Sequence, residues 1–197
     1  MGVTDIDCIV AATADQSESA AFRSVEAALR FAYGQRHRGE PDSLARHQKR
    51  EARGAPMFED AEERAAWAGA IRRRLDTLSS ARRSVLVVRF APRALPCSCR
   101  RPCCSGWAKN AEWTEACADL VELCVEAVAG QLANRQLRAG IVRKWSGERV
   151  NLGILAERCD VHRNTAGKQA KLIRKWLDRL EHQALKDADQ CLVGASS

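Results

Sequence analysis

Apolar residues recur every three or four positions through most of this sequence, a spacing that places them on one face of an α-helix. Gly34 and Pro92 stand where two of these segments should end. The clearest apolar stripe lies near the C-terminus and comprises Ala166, Ala170, Ile173, Leu177 and Leu180. The pattern predicts helices over residues 18–33, 59–78, 81–90, 111–130, 132–145 and 152–159, and a last helix that opens at His162 or Arg163.

The segment from Ala81 to Phe90 fits two kinds of secondary structure. Its centre reads Val-Leu-Val-Val, and β-branched residues favour strands. The arginines at its two ends, however, leave Val85, Leu86 and Val88 as the buried positions, which is helical spacing. We therefore predict a helix.

The amino-acid composition also favours helices. Alanine, leucine, arginine and glutamate are plentiful, whereas aromatic residues make up only 5% of the chain. With 197 residues, 46% of them hydrophobic, the chain is long and apolar enough to bury a core, which argues against wholesale disorder. We therefore expect an all-α protein of several packed helices.

No stretch of the sequence approaches the roughly 18 apolar residues of a membrane-spanning helix. The chain begins with an acidic segment that lacks the basic start of a secretory signal. We therefore expect a cytoplasmic protein with no membrane partner.

The sequence divides into five parts by pattern and composition. We predict an N-terminal helical region over 1–33, a flexible basic loop over 34–56, a helical core over 57–134 and a DNA-binding region over 135–190, followed by a tail over 191–197. The helical core contains a cysteine-rich loop at 96–107.

Charge is segregated along the chain, which has a formal net charge of +7. Residues 71–109 and 135–179 are strongly basic, and the segment between them, 110–134, carries acidic residues without a single lysine or arginine. Such a distribution is typical of proteins that bind polyanions, although charge alone does not specify which polyanion.

The segment from Leu152 to Lys171 has the pattern of two helices joined by a tight turn. Asn151 can cap the first helix, and Asp160, which tolerates a left-handed conformation, stands at the turn. Ala156 is small enough for the helices to approach where they cross, and Val161 supplies an apolar side chain to the turn.

This segment resembles the helix-turn-helix of DNA-binding regulators, in which the second helix enters the major groove of duplex DNA. The resemblance implies that side chains on the polar face of the second helix contact base edges and phosphates, since arginine and asparagine can make paired hydrogen bonds to guanine and adenine. The alternative is an ordinary helical hairpin with a solvated basic face. The predicted DNA-binding residues are His162, Arg163, Asn164, Thr165, Lys168, Lys171, Arg174 and Lys175.

The segment from Leu78 to Phe90 is similar to the helix that opens region 4 of bacterial sigma factors, in which a leucine precedes an apolar, arginine-bearing stretch. In sigma factors the helix-turn-helix follows directly, whereas here a cysteine loop and further helices intervene. A plain core helix is the alternative.

Four cysteines lie within eight residues, at Cys97, Cys99, Cys103 and Cys104. Because zinc prefers four soft ligands in a tetrahedron, we predict that these thiolates hold a structural zinc ion. Neighbouring arginines such as Arg93 would favour the thiolate form. Two adjacent cysteines rarely bind one ion together, so Cys117 or Cys124 could replace one of them; reduced thiols and a redox switch are further alternatives.

The cysteine cluster together with the stretch from Leu152 to Leu180 resembles phage-encoded late-gene regulators, especially the antitermination protein Q group of lambdoid prophages. That resemblance implies a protein that binds DNA near a late promoter and then engages paused RNA polymerase holoenzyme, so that the enzyme reads through terminators. The alternatives are a simple helix-turn-helix repressor or activator, and a zinc-stabilised nucleic-acid scaffold without polymerase contact. Because no phosphate-binding glycine loop, G-x-S-x-G or H-E-x-x-H motif is present, we do not expect an enzyme.

Overall fold

The computed structural model describes residues 22–34, 61–97, 99, 105–128 and 134–193 of the chain. Within these ranges the protein forms seven α-helices, one 3₁₀ turn and one two-stranded sheet, which confirms the prediction of a mostly helical fold. The helices are α1 (Val25–Gly34), α2 (Ala61–Leu75), α3 (Ser80–Phe90), α4 (Ala111–Leu123), α5 (Arg135–Trp145), α6 (Leu152–Arg158) and α7 (Arg163–Val193). The strands are β1 (Ala94–Pro96) and β2 (Trp107–Lys109), and the 3₁₀ turn is Glu126–Val128.

The described residues belong to two compact units. Unit 1 contains α1, α2 and the end of α7 from Leu185, and unit 2 comprises residues 78–184. In unit 1, α1 packs against α2 around a small core of Leu29, Ile71 and Leu75. Most of the predicted basic loop, residues 35–56, lies outside the described residues.

The core of unit 2 forms where α3 packs on α4, α4 on α5 and α5 on α6. The valine-rich centre of α3 is buried, as the helical spacing predicts, so the interpretation as a helix rather than a strand is confirmed. The largest fully buried side chains of this unit are Leu86, Leu120, Leu137, Ile173, Leu177 and Gln169.

Four predicted helix boundaries are wrong. Residues 22–24, predicted to be helical, precede the start of α1 at Val25, and α2 ends at Leu75 rather than at Leu78. The other two flank the segment 124–134. The helix α4 ends at Leu123 rather than at Gly130 and gives way to the 3₁₀ turn. The next helix begins at Arg135 rather than at Leu132, because the Asn134 side chain accepts hydrogen bonds from the backbone N–H groups of Gln136 and Leu137 and so caps it. The apolar spacing alone does not reveal this cap, so the predicted start of the helix is too early.

The cysteine-rich loop predicted at 96–107 lies between two strands that the sequence analysis did not predict. Strands β1 and β2 pair in antiparallel fashion, with Pro96 opposite Trp107 and Ala94 opposite Lys109. Beyond the last pair, the Cys97 N–H donates to the Gly106 carbonyl at 2.8 Å, and Gly106 has a φ of 81°, which glycine adopts without strain. The hairpin therefore closes the base of the cysteine segment.

Candidate nucleic-acid interface

The helix α6 begins where the sequence predicts and is capped by the predicted residue. The Asn151 Oδ1 accepts hydrogen bonds from the N–H groups of Gly153 at 2.9 Å and of Ile154 at 3.3 Å. These bonds satisfy two of the donors that the first turn of a helix leaves without a partner. The direction in which α6 leaves the preceding loop is thereby fixed.

The turn between α6 and α7 is tight and uses a left-handed residue. Asp160 has a φ of 52°, a conformation that aspartate tolerates better than most residues. The next N–H, that of Val161, donates to the Ala156 carbonyl at 2.9 Å. Ala156 itself is 1% exposed, as expected of a small residue at a helix crossing. The predicted turn geometry is confirmed at both positions.

His162 starts the last helix and acts as its cap. The His162 Nδ1 accepts a hydrogen bond from the Asn164 N–H at 3.2 Å, and the His162 carbonyl accepts from the Ala166 N–H at 3.0 Å. Because Nδ1 is an acceptor, the ring proton of neutral His162 lies on Nε2. Only that nitrogen is left to face a ligand, so His162 has a structural as well as a surface role.

Helix α5 supports the two-helix segment from behind. Gly140 of α5 lies so close to α6 that a Cβ atom at this position would overlap the side chain of Leu155. A larger residue at this position would therefore force the Leu155 side chain to move, a constraint that apolar periodicity does not reveal. The inner face of α7 is buried along the same unit at Ala166, Ile173 and Leu177.

All eight predicted DNA-binding residues are exposed on α7 or on its cap. They alternate with the buried positions at helical spacing, so the cationic and apolar faces lie on opposite sides of the helix. No acidic oxygen among the described residues lies within ion-pair distance of Arg163, Lys168, Lys171 or Lys175. The structure thus brings the predicted residues together on one accessible surface, which we call the α7 basic face.

Two acidic residues of α7 are held by the body of unit 2, and sequence reasoning missed both contacts. The Trp145 Nε1–H donates to the Asp178 carboxylate at 2.8 Å, and the Arg89 Nε lies 2.9 Å from the Glu181 carboxylate. The Arg89 guanidinium also lies over the Trp145 ring, 5.8 Å from its centroid. These contacts tie α7 to α3 and α5 and fix the orientation of its outer face. Arg89 was predicted only to be a polar position of its helix.

The cysteine hairpin presents two of the four predicted metal ligands. Cys97 is half-buried and Cys99 is exposed, and the Cys97 sulfur accepts a hydrogen bond from the Cys99 N–H at 3.5 Å. Cys103 and Cys104 lie outside the described residues. Among the residues that are described, no group of three or more histidine, cysteine or acidic side chains is placed to hold a metal ion.

Arg93 lies at the base of the hairpin and makes contacts that the sequence does not predict. Its guanidinium donates to the Ser146 carbonyl and lies over the Trp113 ring, 5.8 Å from the centroid. The arginine therefore joins the base of the hairpin to α4 and to the end of α5.

The two other candidate thiols are core residues. Burial raises the pKa of Cys117 to about 12 and that of Cys124 to about 11. The Cys124 Sγ–H donates to the Val121 carbonyl at 3.3 Å, as a protonated thiol does. At neutral pH both thiols are therefore protonated and packed in the core of this structure. Cys97 is half-buried and Cys99 is exposed, so the hairpin thiols are the more accessible of these candidate ligands.

No protein-family model matches this chain, and neither curated proteins nor solved structures show significant similarity to it. None of the helices described is long and apolar enough to cross a bilayer. The resemblances to sigma region 4 and to antitermination protein Q therefore stay predictions, carried by the residues quoted above.

Proposed function

We propose that this protein binds duplex DNA by inserting the first turns of α7 into the major groove. The observation that carries the proposal is the exposure of all eight predicted contact residues on one face, opposite a buried stripe. A helix of about 10–12 Å diameter fits the roughly 12 Å width of the major groove. The capped α6 and the tight turn present the start of α7 outward, as a reading helix requires.

Within this interface the residues have different tasks. Arg163 and Asn164 in the first turn can make paired hydrogen bonds to base edges, which discriminate one base pair from another. Thr165 and Lys168 lie in the same turns, at positions that allow contacts to bases or to the nearest phosphates. Lys171, Arg174 and Lys175 follow further along the helix and fit phosphates.

The experiment begins with selection of preferred duplexes from a randomised 30-base-pair library, followed by titration of variants on the selected and on mixed-sequence DNA. Asn164→Ala should lower affinity for the selected duplex by roughly 1–3 kcal/mol and leave affinity for mixed-sequence DNA nearly unchanged. Lys171→Ala should lower both affinities to a similar extent. Equal losses for both variants on both DNAs would rule out base reading by Asn164, and no binding to either DNA would rule out the function.

We further propose that the DNA-bound protein is a transcription regulator of the late-gene antiterminator kind and engages RNA polymerase holoenzyme. This step rests on the resemblance stated for the cysteine cluster and the segment from Leu152 to Leu180. Transcription through a terminator placed downstream of the selected DNA should increase when the protein is added. Retention of DNA binding without polymerase capture or readthrough would identify a simple repressor or activator instead.

We also propose a structural zinc ion in the cysteine hairpin, held by Cys97 and Cys99 together with Cys103 and Cys104. The accessible thiols, the hairpin that closes the segment and the N–H bond to the Cys97 sulfur all suit a thiolate site. Protein purified under reducing conditions should contain one zinc per chain, and replacement of both Cys97 and Cys99 by serine should remove it and lower Tm. Cys117→Ser is the matched control and should retain the metal, whereas a zinc-free wild-type protein would overturn the proposal.

A further inference from the structure

The α7 basic face continues beyond the residues that the sequence singles out. Lys171, Arg174, Lys175, Asp178, Arg179, His182 and Gln183 line one shallow groove along the outside of the helix. Arg179 and His182 are both exposed, and both occur at the helical spacing of the cations before them. Neither residue is among the eight predicted DNA contacts.

Most of the positive charges in this groove are not paired with acidic residues in the part of the chain that the structure describes. Among the residues described, no acidic oxygen lies within ion-pair distance of Lys171, Lys175 or Arg179. The one carboxylate in the groove, that of Asp178, accepts the Trp145 Nε1–H at 2.8 Å and lies 3.8 Å from the Arg174 Nε. The negative charge is thus engaged by α5 and by one arginine, while the other cations have no acidic partner in the described part of the chain.

The position of the groove along α7 determines which part of the DNA it would contact. At about 1.5 Å of rise per residue, Arg179 lies roughly 24 Å along the axis from Arg163. The major groove is only about 12 Å wide, so a side chain at that distance from the reading residues has passed the bases and faces a sugar–phosphate strand. Arginine forms paired hydrogen bonds with phosphate oxygens, which suits this position.

We propose that the groove from Lys171 to Gln183 is a phosphate-binding extension of the DNA interface, with Arg179 contacting the strand that borders the major groove. The inference rests on the proposed function and adds a sequence-independent contact to it. Such a contact contributes to affinity for every duplex and makes that affinity depend on salt, because bound phosphates release their counterions.

The test measures binding of the full-length protein to a mixed-sequence 30-base-pair duplex between about 50 and 200 mM salt. Arg179→Gln should reduce the slope of log K against log salt by about 0.9, which is the loss of one phosphate contact. Arg135→Gln is the matched control, because it removes the same charge from an exposed arginine that already pairs with Glu122 at 2.7 Å. This control should leave the slope unchanged.

The outcomes separate the two proposals. An unchanged slope for Arg179→Gln, in a protein whose selected-duplex affinity still falls with Asn164→Ala, overturns the extension and leaves the reading helix in place. Equal changes for Arg179→Gln and Arg135→Gln also overturn the extension, because net charge alone would then explain the effect. A wild-type protein that binds no duplex overturns both proposals.

Discussion

Two surfaces of unit 2 carry arginines and lysines, and they differ in what surrounds the charge. On α5 three arginines are paired: Arg135 with Glu122, Arg138 with the Val121 carbonyl and Glu122, and Arg143 with Glu148. On the α7 basic face, Lys168, Lys171, Lys175 and Arg179 have no acidic partner among the residues described. The first surface uses its arginines to hold the fold together, whereas the described residues provide no such pairs for these cations of the second.

The comparison shows why the charge distribution in the sequence is a poor guide by itself. The basic block 135–179 contains residues of both surfaces. Arg138 is counted there as a positive charge, yet its side chain is only 10% exposed and its Nε–H donates to the Val121 carbonyl at 3.0 Å. The cations that mark an interface are those that lie opposite a buried stripe and lack partners in the protein.

The strongest way to break the interface surface is to separate its two helices. Ala156→Leu places a larger side chain where 1% of the residue is exposed, and overpacking of this kind costs about 1–3 kcal/mol. We expect a lower Tm and loss of DNA binding together, measured by thermal unfolding and by titration of duplex DNA. Ala139→Leu, at a partly exposed position of α5, is the control and should have a smaller effect. An unchanged Tm for Ala156→Leu would mean that the helix crossing accommodates a larger side chain without strain.

The paired surface should respond in the opposite way. Arg138→Ala removes one of the two donors to the Val121 carbonyl, leaving the Cys124 Sγ–H, and should destabilise unit 2 by about 1–2 kcal/mol, the net value of a hydrogen bond from a charged donor. Below the lower Tm, however, affinity for mixed-sequence DNA should stay within about twofold of the wild type. Lys175→Ala should show the reverse, with unchanged Tm and weaker binding. A large loss of DNA affinity in folded Arg138→Ala would erase the distinction between the surfaces.

The sequence predicts much of this arrangement because its signals are local. Asn151 and Asn110 cap helices through contacts with the next few residues, and the left-handed turn at Asp160 is likewise a property of the local chain. The exposure of the α7 basic face follows from helical periodicity, which needs no knowledge of distant residues. These features could therefore be predicted one segment at a time.

The contacts that sequence reasoning missed all join segments far apart in the chain. Trp145 bonds Asp178, Arg89 pairs with Glu181, and Arg93 reaches the Ser146 carbonyl. The close contact at Gly140 also comes from another helix, through the Leu155 side chain. Composition and spacing do not show which polar groups contact each other across a fold. The exposure of a charged side chain could therefore be predicted from the sequence, but its partner could not.

Trp145 offers a way to sharpen the comparison, because it connects the two surfaces. Trp145→Phe keeps an aromatic ring but removes the hydrogen bond to Asp178, which should cost about 1 kcal/mol of stability. Without that donor, less of the negative charge on the Asp178 carboxylate is compensated by α5, and more of it offsets the cations of the groove. Affinity for mixed-sequence DNA should therefore fall as well. Asp178→Asn combined with Trp145→Phe should restore the affinity but not the stability. If the single and double variants bind DNA equally, the tryptophan serves only packing.

The smallest expected effect gives the sharpest test of paired against unpaired charge. Glu122→Gln removes one acid from the α4–α5 surface and leaves Arg135 without its ion pair, at a cost within the 0–1 kcal/mol typical of exposed pairs. If net charge attracted DNA to any part of unit 2, this variant would bind mixed-sequence duplex more tightly. We expect a change below about twofold at 150 mM salt, where charges further apart than about 8 Å are largely screened from one another. A severalfold gain in affinity would show that Arg135 had become a DNA contact. The role of the α7 basic face would then depend on its cations being unpaired, and not on their position on the helix.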